Sequence, residues 1–261
     1  MEKSRQTASP PINKTMIKDE FNTKISRLTE SKAYLDFCEE VYGYRTYLFN
    51  MMDKEQIDFL LSSVPISSKD TLLDLGCGAG SILQLLISKY SCFGVGIDQL
   101  NRDIVERNSR AITYINGDID RISDYDIKPT IILSVDSLYF SSDLDKLIRQ
   151  LKNIKNNRMY LFYSEYLFDE ATGDKRVLQS DNTKIAEVLK KNGIPFRTFD
   201  YSENERFLYD KSLKALNKLK SAFELEGNTD LLEQKLKEDT LGMELYHKGL
   251  ASRYLYITDE V

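Results

Sequence analysis

From residue 70 to about 200, short apolar runs alternate with segments whose apolar residues recur every three or four positions. Runs bounded by turn-forming residues predict strands, and the longer spacing predicts helices with one buried face. In order, a strand enters at Thr71, a helix runs from Ile82 to Tyr90, and a second strand from Phe93 to Asp98. A third strand starts at Ile112 and closes on Asp118, and a fourth runs from Thr130 to Asp136. Leu144, Leu147 and Leu151 mark the next helix. Arg158 to Tyr163 reads as a fifth strand, Lys184 to Lys191 as a helix stopped by Asn192-Gly193, and Pro195 to Asp200 as a sixth strand. Ser252 to Thr258, with Tyr254 and Tyr256 alternating, is the last strand. Strands and helices in alternation predict an α/β fold, a doubly wound and mostly parallel sheet covered on both faces.

Two segments stand outside that alternation. Residues 31–63 read as helices with a break near Gly43, and carry Tyr34, Tyr42, Tyr44 and Tyr47 ahead of Asn50-Met51-Met52. Residues 201–251 separate the sixth and last strands, and a connection this long usually carries structure or function. There Leu213, Leu216, Leu219 and Phe223 share one helical face, Gly227-Asn228 breaks it, and Leu231 to Tyr246 continues as a second helix. The organisation predicted is a flexible tail over 1–20, a helical flank or lid over 21–66, and the sheet domain over 67–261 with the helical insertion inside it.

Chemistry concentrates after the first strand, in Asp74-x-Gly76-x-Gly78-x-Gly80. Glycine admits positive φ and lets a ligand approach where a Cβ would stand, and the helix that follows offers its first amides to a polar or negative group. A dinucleotide fingerprint would need glycine or alanine at position 81, which is Ser81. Singly, such a loop is a tight turn and a strand-end aspartate a helix cap. Here further strand-end carboxylates follow in order, Asp98, Asp118 and Asp136.

This arrangement resembles the class I S-adenosylmethionine-dependent methyltransferases over roughly residues 68 to 165. The resemblance implies a Rossmann-like seven-stranded sheet whose last strand enters antiparallel between the fifth and sixth. It implies S-adenosyl-L-methionine as cofactor, held by the loop residues Asp74, Gly76, Cys77, Gly78 and Gly80, with Asp98 and Gln99 at the ribose. Asp118 and the Ile119 amide would meet the adenine, Ser134 and Val135 would face the sulfonium, and Tyr47 would close over it from the flank. Acceptor-facing groups would follow the fourth strand: Asp136 as holder or base and Tyr139 as orienter. Tyr166 and Arg253 are further acceptor candidates, Arg253 by a bidentate grip on a carboxylate, with a surface ion pair as its plain alternative. His247, the single histidine, is a candidate base if the insertion caps the acceptor, and otherwise structural or exposed.

Composition narrows the partners. A net charge of −5 and a pI near 5.2 disfavour nucleic acid, although Lys211 to Lys220 form a local basic stretch. The N/D-P-P-Y/F run of base and glutamine N-methyltransferases is absent after the fourth strand. Neither a membrane span nor a secretory leader is read. Cys38, Cys77 and Cys92 form no C-x-x-C pair, which points to a reducing, cytoplasmic setting without structural zinc, and no metal is expected. The leading expectation is methyl transfer to a small-molecule acceptor such as an amine, amino acid or natural-product intermediate. Aminocarboxypropyl transfer, nucleic-acid methylation and a non-catalytic cofactor scaffold are the alternatives. The insertion is expected to cap the acceptor pocket, with homodimer formation as its other use.

Overall fold

The computed structural model describes residues 23–100, 110–168 and 173–259, so the tail expected over 1–20 lies outside the described residues. Seven strands form one sheet: β1 Thr71–Leu75, β2 Phe93–Asp98, β3 Ile112–Asn116, β4 Ile131–Val135, β5 Arg158–Tyr166, β6 Phe196–Asp200 and β7 Ala251–Thr258. Their order is β3-β2-β1-β4-β5-β7-β6. The first five pair in parallel, and β7 runs antiparallel to both β5 and β6. This is the seven-stranded, doubly wound sheet expected from the sequence.

Two apolar layers explain why the strands are nearly continuous hydrophobic runs. Leu72, Ile131, Leu133, Phe162 and Leu255 enter one layer, while Leu73, Leu75, Ile132, Leu161 and Tyr256 enter the other. A strand covered on both faces has no solvent side to supply polar alternation. The second layer is closed by α5 Leu144–Lys152 and α6 Lys184–Lys191, started by the caps Asp143 and Thr183. The first is closed by α3 Lys54–Ser62 and α4 Ser81–Tyr90, together with α2 Lys32–Tyr42 and the insertion. Strand order reverses between β1 and β4, so their carboxyl ends open a crevice at the switch point where α/β sheets take ligands.

The insertion is helical: α7 Ser202–Lys218, α8 Lys220–Leu225 and α9 Thr229–His247. Its buried face on α7 runs through Leu208, Ser212, Ala215 and Leu216, while Leu213 and Leu219 are only half-buried. A strict spacing of three precesses around a helix of 3.6 residues per turn. The break between α7 and α8 then re-phases the chain and buries Phe223.

The insertion and the N-terminal flank lock together. A helix over 23–30, α1, sends Arg27 to both carboxylate oxygens of Asp230 at 2.7 Å and Lys24 to Glu238 at 3.2 Å. Glu226 accepts from Ser31 and from the Ala33 amide at the start of α2, and Asn204 donates to Asp53 at 2.7 Å. No described helix is long and apolar enough to cross a membrane.

Gly242 in α9 shows how close the insertion helices lie. A Cβ there would sit 2.2 Å from Cζ of Tyr209 in α7. On an exposed helix Gly→Ala stabilises by about 1 kcal/mol. Here Gly242→Ala is expected to destabilise by about 1–3 kcal/mol through overpacking, which urea unfolding checks; a gain in stability would show that the two helices are not in this contact.

Candidate functional site

A cavity of about 1050 Å³ lies at the carboxyl ends of β1, β2 and β4 and extends under the flank and insertion. One half is built from the loop between β1 and α4. Gly76, Gly78 and Gly80 all have positive φ, at +68°, +53° and +75°. They are glycines for different reasons. A Cβ on Gly76 would lie 2.3 Å from Cβ of Ser137, and one on Gly80 would lie 2.2 Å from the Tyr114 hydroxyl. A Cβ on Gly78 meets nothing nearer than Phe49 at 4.0 Å and would enter the cavity, whose wall Gly78 forms. Packing excludes a side chain at the outer two; at the middle one the positive φ already favours glycine, and the missing Cβ also leaves the space beside it open to a ligand.

Backbone bonds fix the loop to the end of β2. The Gly76 and Cys77 amides donate to Ile97 O at 2.8 and 3.1 Å. Asp98 accepts from the Gly78 amide at 2.8 Å and the Leu100 amide at 2.9 Å, which aims its carboxylate across the loop. Gly80 is the N-cap of α4 and has no side chain to cap it, so the first turn of α4 keeps amides for another partner.

The cavity is rich in carboxylates: Asp74, Asp98, Asp118, Asp120, Asp136, Glu238 and Asp239, against Lys24 and Lys235. Asp74 is the least compensated. It is 3% exposed, and no cation or donor among the described residues meets its side chain. Burial, and after it the charge of Asp98, push its carboxyl up to about 8. Such a pocket favours a ligand carrying positive charge. Desolvation also raises the Cys77 thiol, which keeps it protonated and unreactive.

The other half is walled by the strap over 43–53 and by Tyr34, Tyr42, Tyr209, Lys235 and Asp239. Tyr34 and Tyr42 donate to Leu48 O and Asn50 O at 2.6 and 3.0 Å, and Ser81 donates to Tyr47 O at 2.6 Å. Asp239, 1% exposed, accepts from Ser212 and pairs with Lys235 at 2.6 Å.

Asp74, Gly76, Cys77, Gly78, Asp98, Gln99, Asp118, Ile119, Val135, Asp136 and Tyr47 all line this one cavity. Gly80 supports the loop from behind. Ser134 is buried beneath it, hydroxyl to hydroxyl with Ser137 at 2.6 Å.

The acceptor candidates other than Asp136 fall elsewhere. His247 ends α9 exposed to solvent and away from the wall. Tyr139 stands behind Asp136, donating to it at 3.1 Å and accepting from the Ser164 amide. Tyr166 donates to Glu205 at 2.6 Å, outside the cavity wall. Arg253 is 0% exposed and is neither a surface pair nor an open grip. It holds both oxygens of Asp136 at 2.6 and 3.1 Å, Ser164 at 2.9 Å and Gln56 at 2.9 Å, with Glu205 at 3.9 Å.

Asp239, Lys235 and Glu205 were not singled out from sequence. The signal for the two acids is a carboxylate on the apolar stripe of a helix, Glu205 ahead of Leu208 and Asp239 between Leu232 and Gly242, and Lys235 lies one turn before Asp239. Burial raises Glu205, and Arg253 pulls the other way.

A family model described as "Methionine biosynthesis protein MetW" matches residues 54–133. No curated protein sequence matches the chain. Among solved structures, phosphoethanolamine N-methyltransferase 2 from Haemonchus contortus, bound to phosphomonomethylethanolamine and S-adenosylhomocysteine, is similar with a TM-score of 0.71 at 13% identity. The alignment covers 96% of this chain and 61% of that one, so this chain spans less than two thirds of that protein's length. The cyclopropane synthase MmaA2 from Mycobacterium tuberculosis has a TM-score of 0.67 at 18% identity, over 91% of this chain and 97% of that one. An S-adenosylmethionine-dependent methyltransferase from Geobacter sulfurreducens, bound to S-adenosylhomocysteine, has a TM-score of 0.58 at 15% identity, over 87% and 98%. With its strand order and its glycine loop, this chain has the Rossmann-like fold of the class I S-adenosylmethionine-dependent methyltransferases.

Proposed function

We propose that the chain binds S-adenosyl-L-methionine in the glycine-loop half of the cavity and transfers its methyl group to a small-molecule acceptor in the tyrosine-lined half. The observation that carries this reading is the single cavity joining the two halves. Small-molecule sites occupy about 300–1,000 Å³, and about 1050 Å³ is room for a cofactor and an acceptor together. The residues present fit the cofactor on two counts. The Gly78 cradle is one that a Cβ would fill, and the buried Asp74 carboxylate has no cation to face.

When bound, the cofactor supplies a methyl group on a cationic sulfur. Asp98 would accept from the ribose hydroxyls, Asp118 and the Ile119 amide would meet the base, and Asp74 would balance the ligand's positive charge. Asp136 is not proposed as the base, because Arg253, Tyr139 and the Met51 amide occupy its carboxylate oxygens. The chain's contribution is then alignment of the reactants and exclusion of water by the strap and insertion. Such chemistry suits an acceptor whose nucleophile arrives unprotonated.

The net charge of −5 supports a small acceptor over nucleic acid, and the lysines of the basic stretch each face a partner within the chain. Lys211 is held by Val41 O at 2.7 Å, Lys214 by Asp210, Lys218 by Glu40 at 2.9 Å and Lys220 faces Glu224 at 3.8 Å. The free thiols of Cys38, Cys77 and Cys92 support a cytoplasmic setting.

Calorimetry tests the cofactor site first. Asp98→Ala is expected to weaken S-adenosylmethionine by about 1.5–3 kcal/mol, the value of hydrogen bonds to a charged acceptor; unchanged affinity would remove Asp98 from the site. Gly78→Ala and Gly80→Ala separate ligand space from packing. Gly80→Ala should lower the melting temperature more, and Gly78→Ala should lose more affinity relative to its loss of stability. Equal behaviour would reduce the loop to a turn. With phosphomonomethylethanolamine as a first probe, S-adenosylhomocysteine as product indicates methyl transfer and methylthioadenosine indicates aminocarboxypropyl transfer.

Asp74 sets a pH dependence. Its folded value near 8 lies above its ordinary value of 3.8, so the folded state binds the extra proton. Its contribution to stability is complete below about pH 4 and is lost as pH rises toward 8. In cofactor-free protein the melting temperature of Asp74→Asn should therefore rise relative to wild type across that window; parallel curves would show that Asp74 titrates normally.

A further inference from the structure

We propose that Asp136 is a positioning residue, which with Arg253 pins the strap over 43–53 in the place where it forms the cavity wall. The strap supplies Tyr47, Leu48, Phe49, Asn50 and Met51 to that wall and has neither helix nor strand of its own to hold it. Three of its ties accept at carbonyl oxygens, from Tyr34 and Tyr42 in α2 and from Ser81 in α4. The tie to the end of β4 is of another kind. The Met51 amide donates to Oδ2 of Asp136 at 2.8 Å, and both residues line the cavity.

Asp136 is built for holding. Its φ of +52° puts a non-glycine residue in the left-handed region directly after β4, a conformation that persists only where the surroundings enforce it. Oδ1 receives Nη1 of Arg253 at 2.6 Å and the Tyr139 hydroxyl at 3.1 Å. Oδ2 receives Nη2 of Arg253 at 3.1 Å as well as Met51. Four donors on two oxygens leave little for a substrate.

Arg253 grips the far end of the strap a second time. Its Nε donates to Gln56 at 2.9 Å, and Gln56 donates to Asp53, the N-cap of α3. The same guanidinium faces Glu205 of the insertion. One buried cation thus fixes the C-terminal end of the strap by two routes, at Met51 and at Asp53, and ties it to the insertion. Sequence position made Asp136 a candidate base, whereas its bonds make it the anchor of a wall shared by cofactor and acceptor.

Two variants test this without relying on an acceptor. Asparagine tolerates the left-handed region and glycine favours it, so neither Asp136→Asn nor Asp136→Gly adds backbone strain, and Glu205 stays beside the Arg253 charge, so both are expected to fold with reduced stability. Hydrogen exchange on the cofactor-free protein is expected to show faster exchange across residues 44–53, at least tenfold for Asp136→Gly and less for Asp136→Asn, which keeps one acceptor oxygen. Peptides from β1 and α4 should exchange as in wild type. Unchanged strap exchange in Asp136→Gly would overturn the proposal.

The effect on the site rests on the cofactor reading above. Asp136→Gly should weaken S-adenosylmethionine about tenfold by calorimetry. Loosened strap exchange in a protein whose wild type binds no S-adenosylmethionine would contradict that reading and leave the anchor standing. Tight cofactor binding beside an unresponsive strap would do the reverse.

Discussion

One fully buried guanidinium organises the end of this cavity where strap, sheet and insertion meet. Arg253 enters from β7, the antiparallel strand, and reaches the end of β4, the start of α3 and the first turn of α7. A buried ion pair gives little net stability over an apolar replacement, because desolvation offsets the Coulomb gain. Removing one partner is different, since the remaining charge is stranded, at a cost of about 3–5 kcal/mol. The pair therefore acts on geometry. Any packing of flank or insertion that leaves Asp136 or Arg253 unmatched is penalised, and that selects the arrangement in which strap, sheet and insertion meet.

Electrostatics and backbone shape then divide the cavity between them. Gly76 and Gly80 let the loop press against Ser137 and Tyr114, and Gly78 keeps the space between them clear. Asp74 sits beneath that space, buried and with no cation beside it, which pushes its carboxyl up to about 8. A pocket that leaves a buried carboxylate unpaired has its complement in a ligand with positive charge. The opposite half satisfies its own charges, Asp239 with Lys235 and Asp136 with Arg253. Shape and the tyrosine surfaces, more than net charge, would discriminate among acceptors there.

Much of this was legible in the chain. The first four strands declare themselves because each is short, largely apolar and ended by glycine or carboxylate, and the strand-end residues Asp74, Asp98 and Asp118 do meet at one crevice. The antiparallel β7 followed from the family resemblance and not from periodicity. Contacts between distant segments were not legible. Arg253 is 117 positions from Asp136, and nothing local tells a buried anchor from a surface charge. Asp136 looked like a base because a strand-end carboxylate looks alike whether solvent, substrate or an arginine faces it. His247 looked like a candidate because helical spacing fixes a face but not the neighbour it meets, and α9 ends in solvent.

The position of a bound nucleoside cofactor is the most direct test. A crystal structure of the full chain with S-adenosylhomocysteine is predicted to show the ribose on Asp98 and the base beside Asp118 and Ile119. The sulfur should point past Gly78 toward the chamber walled by Tyr42, Met51 and Asp136. A nucleoside bound elsewhere on the protein, or a glycine loop closed on itself with the ligand excluded, would contradict it.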